Sequence, residues 1–272
     1  MKKCIVCNSD KLSLIYNGTL FKCDLCSYIF ANIGISNEKL SDIYCENYFK
    51  GNEYLDYLSD KIVIQKNFQY RLNKIQTFKS NIDLNTIEIG CAYGFFGELF
   101  VKNNKNSSYL GIDIVAEAIN YGKNEFGLNL IAQDYLTFVS PQKYSHVFMW
   151  DVIEHLEHPD LFIEKISNET VSGSELYITT GDIGSILSKI QKQNWRMIHP
   201  PSHLHYFSKK TISLLLAKFN FEIKSIEYNP VFRSVKQIFY SLFLLNRPGR
   251  LLARKIFKHI PENWFIPINT YA

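Results

Sequence analysis

The feature that most constrains the fold of this chain is a glycine-rich turn between a β-branched run and an apolar helical pattern. The run at 86–89 leads into Gly90 and Gly94, after which Phe96 and Phe100 stand at helical spacing. Because glycine has no Cβ, such a turn lets the backbone approach a bound ligand closely. A strand, a tight turn and a helix in this order predict the nucleotide-binding corner of an open α/β sheet.

Three further apolar runs end at acidic residues. The runs lead into Asp113, Asp134 and Asp151. Ligands of open α/β sheets bind beyond the carboxyl ends of the strands, where a carboxylate after the second strand can accept the hydroxyls of a ribose. The recurrence therefore predicts one ligand site along one edge of a parallel sheet.

On these residues the chain resembles the class I S-adenosylmethionine-dependent methyltransferases, between about residues 80 and 230. The resemblance implies an α/β fold with a Rossmann-like, mostly parallel sheet and an antiparallel strand late in the chain. The segment 151–159, Asp-Val-Ile-Glu-His-Leu-Glu-His-Pro, is similar to the branch that methylates sugars, quinones or related metabolites. The cofactor contacts that the resemblance implies are Glu88, Gly90, Cys91, Ala92, Tyr93, Gly94, Asp113, Ile114, Asp134, Tyr135 and Asp151.

Two residues of the turn bear on the choice of cofactor. The family's commonest turn has three closely spaced glycines, whereas Ala92 takes the middle place here, which costs little if its φ is negative. The same turn also approximates a dinucleotide fingerprint that would hold a pyrophosphate. Glu88 disfavours this dehydrogenase alternative, because a carboxylate repels phosphate and suits the sulfonium or amino group of S-adenosyl-L-methionine.

The N-terminal region carries two Cys-x-x-Cys pairs, Cys4 with Cys7 and Cys23 with Cys26. This spacing is typical of a four-thiolate zinc ribbon, in which two knuckles complete a tetrahedron. Two disulfides in a secreted protein are the alternative. They are disfavoured because no apolar export segment follows the first lysines, which predicts a reducing, cytoplasmic location. Four thiolates leave no open coordination position, so we expect a structural Zn²⁺.

The patterns divide the chain into four parts: a zinc ribbon at 1–30, a helical cap or linker at 31–80, an S-adenosylmethionine-binding domain at 81–230, and a basic amphipathic helical extension at 231–272. In the binding domain a returning strand is predicted at 221–228, after a helix at 209–219. Five aromatic residues of the cap either line the acceptor pocket, as the resemblance implies, or pack in the core. These are Tyr44, Tyr48, Phe49, Tyr54 and Tyr57.

The least regular stretch, 195–208, holds three histidines and two consecutive prolines. Its end, His-Leu-His-Tyr-Phe-Ser, matches the loop that closes the acceptor side in sugar and quinone methyltransferases. Removing the proton of a sugar hydroxyl suits a histidine with a pKa near neutral. We therefore expect His203 or His205 to be the general base, with Glu154 and His155 shaping the acceptor pocket. A metal site is disfavoured, because the His203-x-His205 spacing defines no set of three or four ligands.

The net charge of +4 is unevenly distributed along the chain. Residues 231–272 hold seven basic residues against one acidic residue, Glu262, so the rest of the chain is mildly acidic. Apolar residues from Val231 to Leu245 at helical spacing predict an amphipathic helix, and a second basic piece follows at 251–260. This extension packs on the sheet or on a second subunit of a homo-oligomer, closes over an anionic acceptor, or contacts an anionic membrane surface through 231–260.

The resemblance, rather than any single residue, implies a small-molecule acceptor such as a sugar or nucleotide-linked sugar of surface glycan synthesis. The alternative is a zinc-ribbon methyltransferase of ribosomal or transfer RNA bases. Nucleic acid is disfavoured as a partner because the ribbon has lysines but no arginine, and two aspartates offset them. A non-catalytic docking scaffold would lack cofactor affinity, and the acidic strand ends disfavour it.

Overall fold

The computed structural model describes residues 2–33, 57–75, 84–243, 251–261 and 263–268. Its strands are β1 (Leu12–Ile15), β2 (Leu20–Cys23), β3 (Ile29–Ala31), β4 (Asn85–Ile89), β5 (Ser108–Asp113), β6 (Leu130–Ala132), β7 (Tyr144–Trp150), β8 (Thr170–Thr179), β9 (His205–Tyr206), β10 (Val231–Ser234) and β11 (Phe265–Ile268). Its α-helices are α1 (Lys61–Lys74), α2 (Phe95–Asn103), α3 (Ala116–Phe126), α4 (Pro159–Glu169), α5 (Ile186–Gln191), α6 (Lys209–Lys218), α7 (Val235–Phe243) and α8 (Leu251–His259).

The central sheet has five parallel strands in the order β6-β5-β4-β7-β8. From β4 the chain steps outward through β5 to β6, and it then returns to place β7 on the other side of β4. Strand order therefore reverses between β4 and β7, and ligands of open α/β sheets bind at such a switch point, outside the carboxyl ends of the strands. This architecture confirms the predicted α/β, Rossmann-like fold.

Helices cover both faces of this sheet because its strands are apolar on both sides. In β7, Val147 and Met149 belong to one buried cluster, which includes residues of α4 and α6. Phe148 and Trp150 belong to the other, which includes residues of α1, α2 and α3. Successive residues of a strand point to opposite faces, so this alternation assigns α1 to the same layer as α2 and α3.

A second sheet joins the N-terminal module to the methyltransferase region. Its order is β1-β2-β3-β9, and all its pairs are antiparallel. In the last pair, Ile29 lies opposite Tyr206 and Phe30 opposite His205. The loop 195–208, called the histidine loop below, thus supplies the fourth strand of the sheet of the N-terminal module, which carries the four cysteines.

The C-terminal part of the fold differs from the sequence prediction. The returning strand predicted at 221–228 is wrong: the structure has no strand there, and the side chains at 222–228 are exposed, so the segment lacks a face to bury. The helix predicted from Val231 begins only at Val235, because 231–234 form β10, which pairs antiparallel with β11. The second basic helix, α8, is confirmed.

Part of the predicted cap can be compared with the structure. The helix α1 belongs to it, and Tyr57 lies just before that helix, with its ring stacked on Tyr93 and Phe95. Tyr44, Tyr48, Phe49 and Tyr54 lie outside the described residues. Within the ranges given above, no helix combines the length and apolar character needed to cross a bilayer.

Candidate functional site

The glycine-rich turn follows β4 at the switch point. Gly90, Ala92 and Gly94 all have positive φ values, of 75°, 46° and 77°. Alanine at position 92 was expected to cost little only if its φ were negative, and its φ is positive. This left-handed conformation costs an L-residue roughly 1–2 kcal/mol. A Cβ on Gly90 would overlap the side chain of Val152, so this glycine is required by packing between the turn and the segment after β7. Strain of this kind is characteristic of ligand sites.

Asp113, at the end of β5, is linked to this turn. Its two carboxylate oxygens accept hydrogen bonds from the backbone N–H groups of Ala92, at 2.8 Å, and Val115, at 2.9 Å. A carboxylate has about four acceptor positions, so it can still accept the hydroxyls of a ribose. The next residue, Ile114, is 53% exposed, and Asp134 after β6 is also exposed. An apolar side chain between two carboxylates has the chemistry that an adenosine needs.

Five of the predicted cofactor contacts have buried side chains: Glu88, Cys91, Ala92, Tyr93 and Tyr135. Glu88 accepts a hydrogen bond from the Tyr109 hydroxyl, and burial raises the pKa of Glu88 well above its usual range. The Tyr135 hydroxyl donates to Glu169 at 2.8 Å. These two side chains are engaged within the protein.

Asp151 follows β7 and has a left-handed backbone, with a φ of 57°. Its carboxylate pairs with Arg71 of α1 at 3.3 Å and accepts a hydrogen bond from the Thr179 hydroxyl at 2.8 Å. The Arg71 guanidinium also lies over the Trp150 ring, 5.3 Å from its centroid. Helix α1 is thereby fastened to the carboxyl edge of the sheet.

Three of the four predicted catalytic residues meet in one cluster. Glu154, His155 and His203 each offer a ligand atom, and these atoms lie within 4.8 Å of one another. Burial, with a contribution from Asp151, raises the pKa of Glu154 to about 8. Burial, with His155 and His199 nearby, lowers the pKa of His203 to about 2. Burial thus leaves Glu154, rather than His203, with a pKa near neutral.

The fourth predicted catalytic residue, His205, contacts the cysteine module. Its Nδ1 shares a hydrogen bond with the Tyr28 hydroxyl, and the two rings stack with centroids 6.1 Å apart. Burial lowers the pKa of His205 to about 4. Part of the His205 side chain also lines a small cavity with Glu154 and His203.

The four predicted metal ligands converge in the N-terminal module. Cys4, Cys7, Cys23 and Cys26 place their Sγ atoms within 4.8 Å of one another. The Cys4–Cys26 and Cys7–Cys23 pairs are each separated by 3.5 Å. A tetrahedral zinc with Zn–S bonds of about 2.3 Å needs sulfur atoms roughly 3.8 Å apart, so the four thiols match such a site closely.

The sequence did not identify two residues that connect the site to the surrounding elements. Arg71 pairs with Asp151, and Tyr28 pairs with His205. Arg71 is the first arginine in the chain and the only one before Arg196, which was an available signal. Nothing in the sequence marks Tyr28, because its partner lies 177 positions away.

Comparison with solved structures identifies proteins of the same fold. Magnesium protoporphyrin IX methyltransferase from Synechocystis PCC 6803, with bound SAH, is 13% identical with a TM-score of 0.55, over 72% of this chain and 93% of that protein. The same enzyme with bound SAM gives a TM-score of 0.51 at 13% identity, over 74% and 93% of the two chains. At such identities the likeness establishes the fold alone. Among curated protein sequences, none matches this chain.

A family match covers well over half of the chain. Residues 55–226 match the family described as "Methyltransferase domain", a range that begins just before α1 and includes the whole parallel sheet. The turn, the acidic strand ends and the cluster after β7 all lie inside it. The chain therefore belongs to the methyltransferase domain family and is an S-adenosylmethionine-dependent methyltransferase.

Proposed function

We propose that this enzyme methylates a hydroxyl group of a small-molecule acceptor, a sugar or nucleotide-linked sugar used in surface glycan synthesis, in the cytoplasm. The observation that carries the proposal is the position of the buried Glu154–His155–His203 cluster. It follows β7 directly, next to the turn and carboxylates at the ends of β4, β5 and β6. A cofactor site and a polar acceptor site thus share one edge of the sheet.

The residues present fit S-adenosyl-L-methionine. Asp113 would accept the ribose hydroxyls, and Ile114 would cover one face of the adenine, with Asp134 at its edge. The turn from Gly90 to Gly94 would hold the amino acid part through its backbone. When bound there, the cofactor supplies a methyl group on a positively charged sulfur.

The acceptor side must position a hydroxyl and remove its proton. A catalytic base works best when its pKa lies near the working pH, and positioning contributes further. His203, with a pKa of about 2, remains neutral and suits the role of hydrogen-bond acceptor, whereas Glu154, with a pKa of about 8, can exchange a proton near neutral pH. We therefore assign the proton transfer to the cluster around Glu154 and the orientation of the acceptor to His155 and His203.

The acceptor class follows from the segments 151–159 and 203–208, which resemble those of sugar and quinone methyltransferases. A cluster of one carboxyl group and two imidazoles suits a polyol, because each can hydrogen-bond to a hydroxyl. The four cysteines would hold a structural Zn²⁺, which a reducing cytoplasm permits. The module would then serve as a support for the acceptor loop through β9.

The test measures SAH formation by the purified protein with a panel of nucleotide-linked sugars, and with a ribosomal RNA fragment as the contrasting acceptor. Turnover on a sugar is expected, and Glu154→Gln should lower kcat by about 10²-fold or more, as for loss of a general base. His158→Asn is the matched control, since His158 is exposed and lies outside the cluster. Turnover on RNA with none on sugars would overturn the proposed acceptor class.

A further inference from the structure

We infer that Glu154, His155 and His203 form a binding site for a divalent transition-metal ion, separate from the four-cysteine site. His203 and His205 alone, the pair that the sequence places close together, provide too few ligands. In the folded protein, Glu154 and His155 of the turn after β7 lie beside His203. The three residues bring one ligand atom each within 4.8 Å of one another.

Backbone hydrogen bonds hold the two halves of this site together. The N–H groups of Leu204 and His205 both donate to the carbonyl oxygen of Glu154, at 2.8 and 3.1 Å. The histidine loop is therefore fastened to the turn that carries Glu154 and His155. A site whose ligands come from two fixed segments is preorganised for a ligand.

Backbone carbonyl oxygens hold both histidine rings of this site through Nδ1. Nδ1 of His155 lies 2.8 Å from the carbonyl oxygen of Ser202, and Nδ1 of His203 lies 2.9 Å from that of Met197. A carbonyl oxygen only accepts, so Nδ1 carries the proton in each of these contacts, and in a neutral His203 the lone pair lies on Nε2. Metal-bound histidines typically have this arrangement, with the second ring nitrogen donating to a carbonyl or carboxylate.

Glu154 provides the independent observation. Glu154 is 3% exposed, and its Oε2 atom has no hydrogen-bond partner among the residues that the structure describes. Leaving a buried polar atom without a partner is costly, and a cation would satisfy it. The neighbouring rings also fit this interpretation, because the centroids of His155 and His203 lie 4.6 Å apart.

Two imidazoles and one carboxylate select the kind of ion. This donor set is typical of Zn²⁺ and other divalent transition metals, whereas Mg²⁺ prefers oxygen ligands alone. Three protein ligands leave one position of a tetrahedron open. This step rests on the proposed function: the acceptor hydroxyl would occupy the open coordination position.

The bound ion would change the route of the proton. A cation lowers the pKa of a bound oxygen, so the hydroxyl would release its proton to solvent while Glu154 acts as a ligand. The acceptor oxygen then forms its bond to the methyl carbon, and the carbon–sulfur bond breaks with its electron pair going to sulfur.

Metal binding can be measured without any acceptor. Protein that retains zinc in its cysteine cluster is treated with a chelator too weak to remove thiolate-bound zinc, and is then titrated calorimetrically with Co²⁺ and with Mg²⁺. We expect one equivalent of Co²⁺ to bind and Mg²⁺ to bind at least tenfold more weakly. The Co²⁺ absorption spectrum should lack the intense thiolate bands that the cysteine site would give.

Variants identify the ligands. Glu154→Gln and His203→Asn should each weaken Co²⁺ binding at least tenfold, and His155→Asn serves as a further variant because His155 is only half-buried. Changing the exposed neighbour His158 to Asn should leave Co²⁺ binding unchanged. Absence of this Co²⁺ equivalent, or Co²⁺ binding that is unaffected in folded ligand variants, would overturn the inference. SAH affinity, measured on the same samples, reports separately on the cofactor site.

Discussion

Tyr28 of the N-terminal module and His205 of the histidine loop share a buried hydrogen bond, although they lie 177 positions apart in the sequence. Tyr28 is 1% exposed, and its ring also packs against Phe207, with centroids 5.4 Å apart. Together with the β3–β9 pairing, this contact packs the N-terminal module against the segment that carries His203 and His205.

Tyr28→Phe removes one partner of this bond and leaves Nδ1 of His205 buried. We expect a loss of about 1–3 kcal/mol in the free energy of unfolding, the usual cost of an unsatisfied buried polar group. Chemical denaturation of the metal-loaded protein measures it. Tyr121→Phe is the control, because the half-buried Tyr121 ring packs on Tyr93 and Phe126 of the cofactor side. Equal stability of the Tyr28 variant and the wild type would contradict the prediction.

Removal of metal from the four-cysteine site should reduce the order of the histidine loop. Binding of structural zinc contributes on the order of 10 kcal/mol to the folding of small modules. We expect chelation, or Cys26→Ser, to abolish hydrogen-exchange protection in β3 and in β9 together, because these strands pair with each other. Cys45→Ser, which alters neither Cys-x-x-Cys pair, should change nothing. Persistent protection of β9 without metal would show that the loop does not depend on the module.

Ala92 and Gly90, two of the three left-handed positions of the turn, should respond to substitution in opposite directions. Ala92→Gly relieves a left-handed alanine, while the more flexible unfolded chain offsets part of the gain, so we expect stabilisation of up to about 1 kcal/mol. Gly90→Ala introduces both strain and overlap with Val152, and should cost about 2 kcal/mol or more. Thermal unfolding with and without SAH measures both. A loss of stability in the Ala92 variant would argue against strain at this position.

Glu88 should affect the pH dependence of stability rather than the affinity for the cofactor. Burial raises its pKa, so above the ordinary carboxyl pKa the folded protein retains a proton that the unfolded chain has released, and stability falls as pH rises. Glu88→Gln cannot ionise, so its melting temperature should rise relative to wild type as the pH increases above the ordinary carboxyl pKa of 4.5. Its SAH affinity should stay within about threefold, since the carboxyl group faces Tyr109.

The exposed Glu125 of α3, changed to Gln, is the matched control and should show no such pH-dependent difference. A large loss of SAH affinity in the Glu88 variant, with an unaltered pH profile, would instead place Glu88 at the cofactor, as the family resemblance implies.

Several features of the fold and the site were predictable because they depend on local pattern. Runs of apolar residues ending at Gly90, Asp113 and Asp151 predict parallel strands, and parallel strands bring their carboxyl ends to one edge whatever the remaining packing. The Ser208 cap of α6 is likewise local: its Oγ accepts from the N–H of Thr211 at 3.2 Å. The convergence of the four cysteines on one site also follows from their spacing.

Other features depend on contacts between distant segments and could not be read from the sequence. The side chain of Glu88 accepts a hydrogen bond from Tyr109 on the neighbouring strand, and the sequence alone does not predict this partner. Burial lowers the pKa of His203 and raises that of Glu154, and the burial of a side chain cannot be read from its residue type. The two-residue strand β9 is too short to show any periodicity.

The pairing of β3 with β9 has a consequence for how this protein can be divided. Deleting residues 1–33 would strip the catalytic region of a neighbour and leave a bare strand edge, which invites aggregation with other copies. An insoluble truncation would therefore say nothing about where chemistry occurs. Exchanging N-terminal modules between relatives should succeed only when the donor's own histidine segment is transferred together with its module.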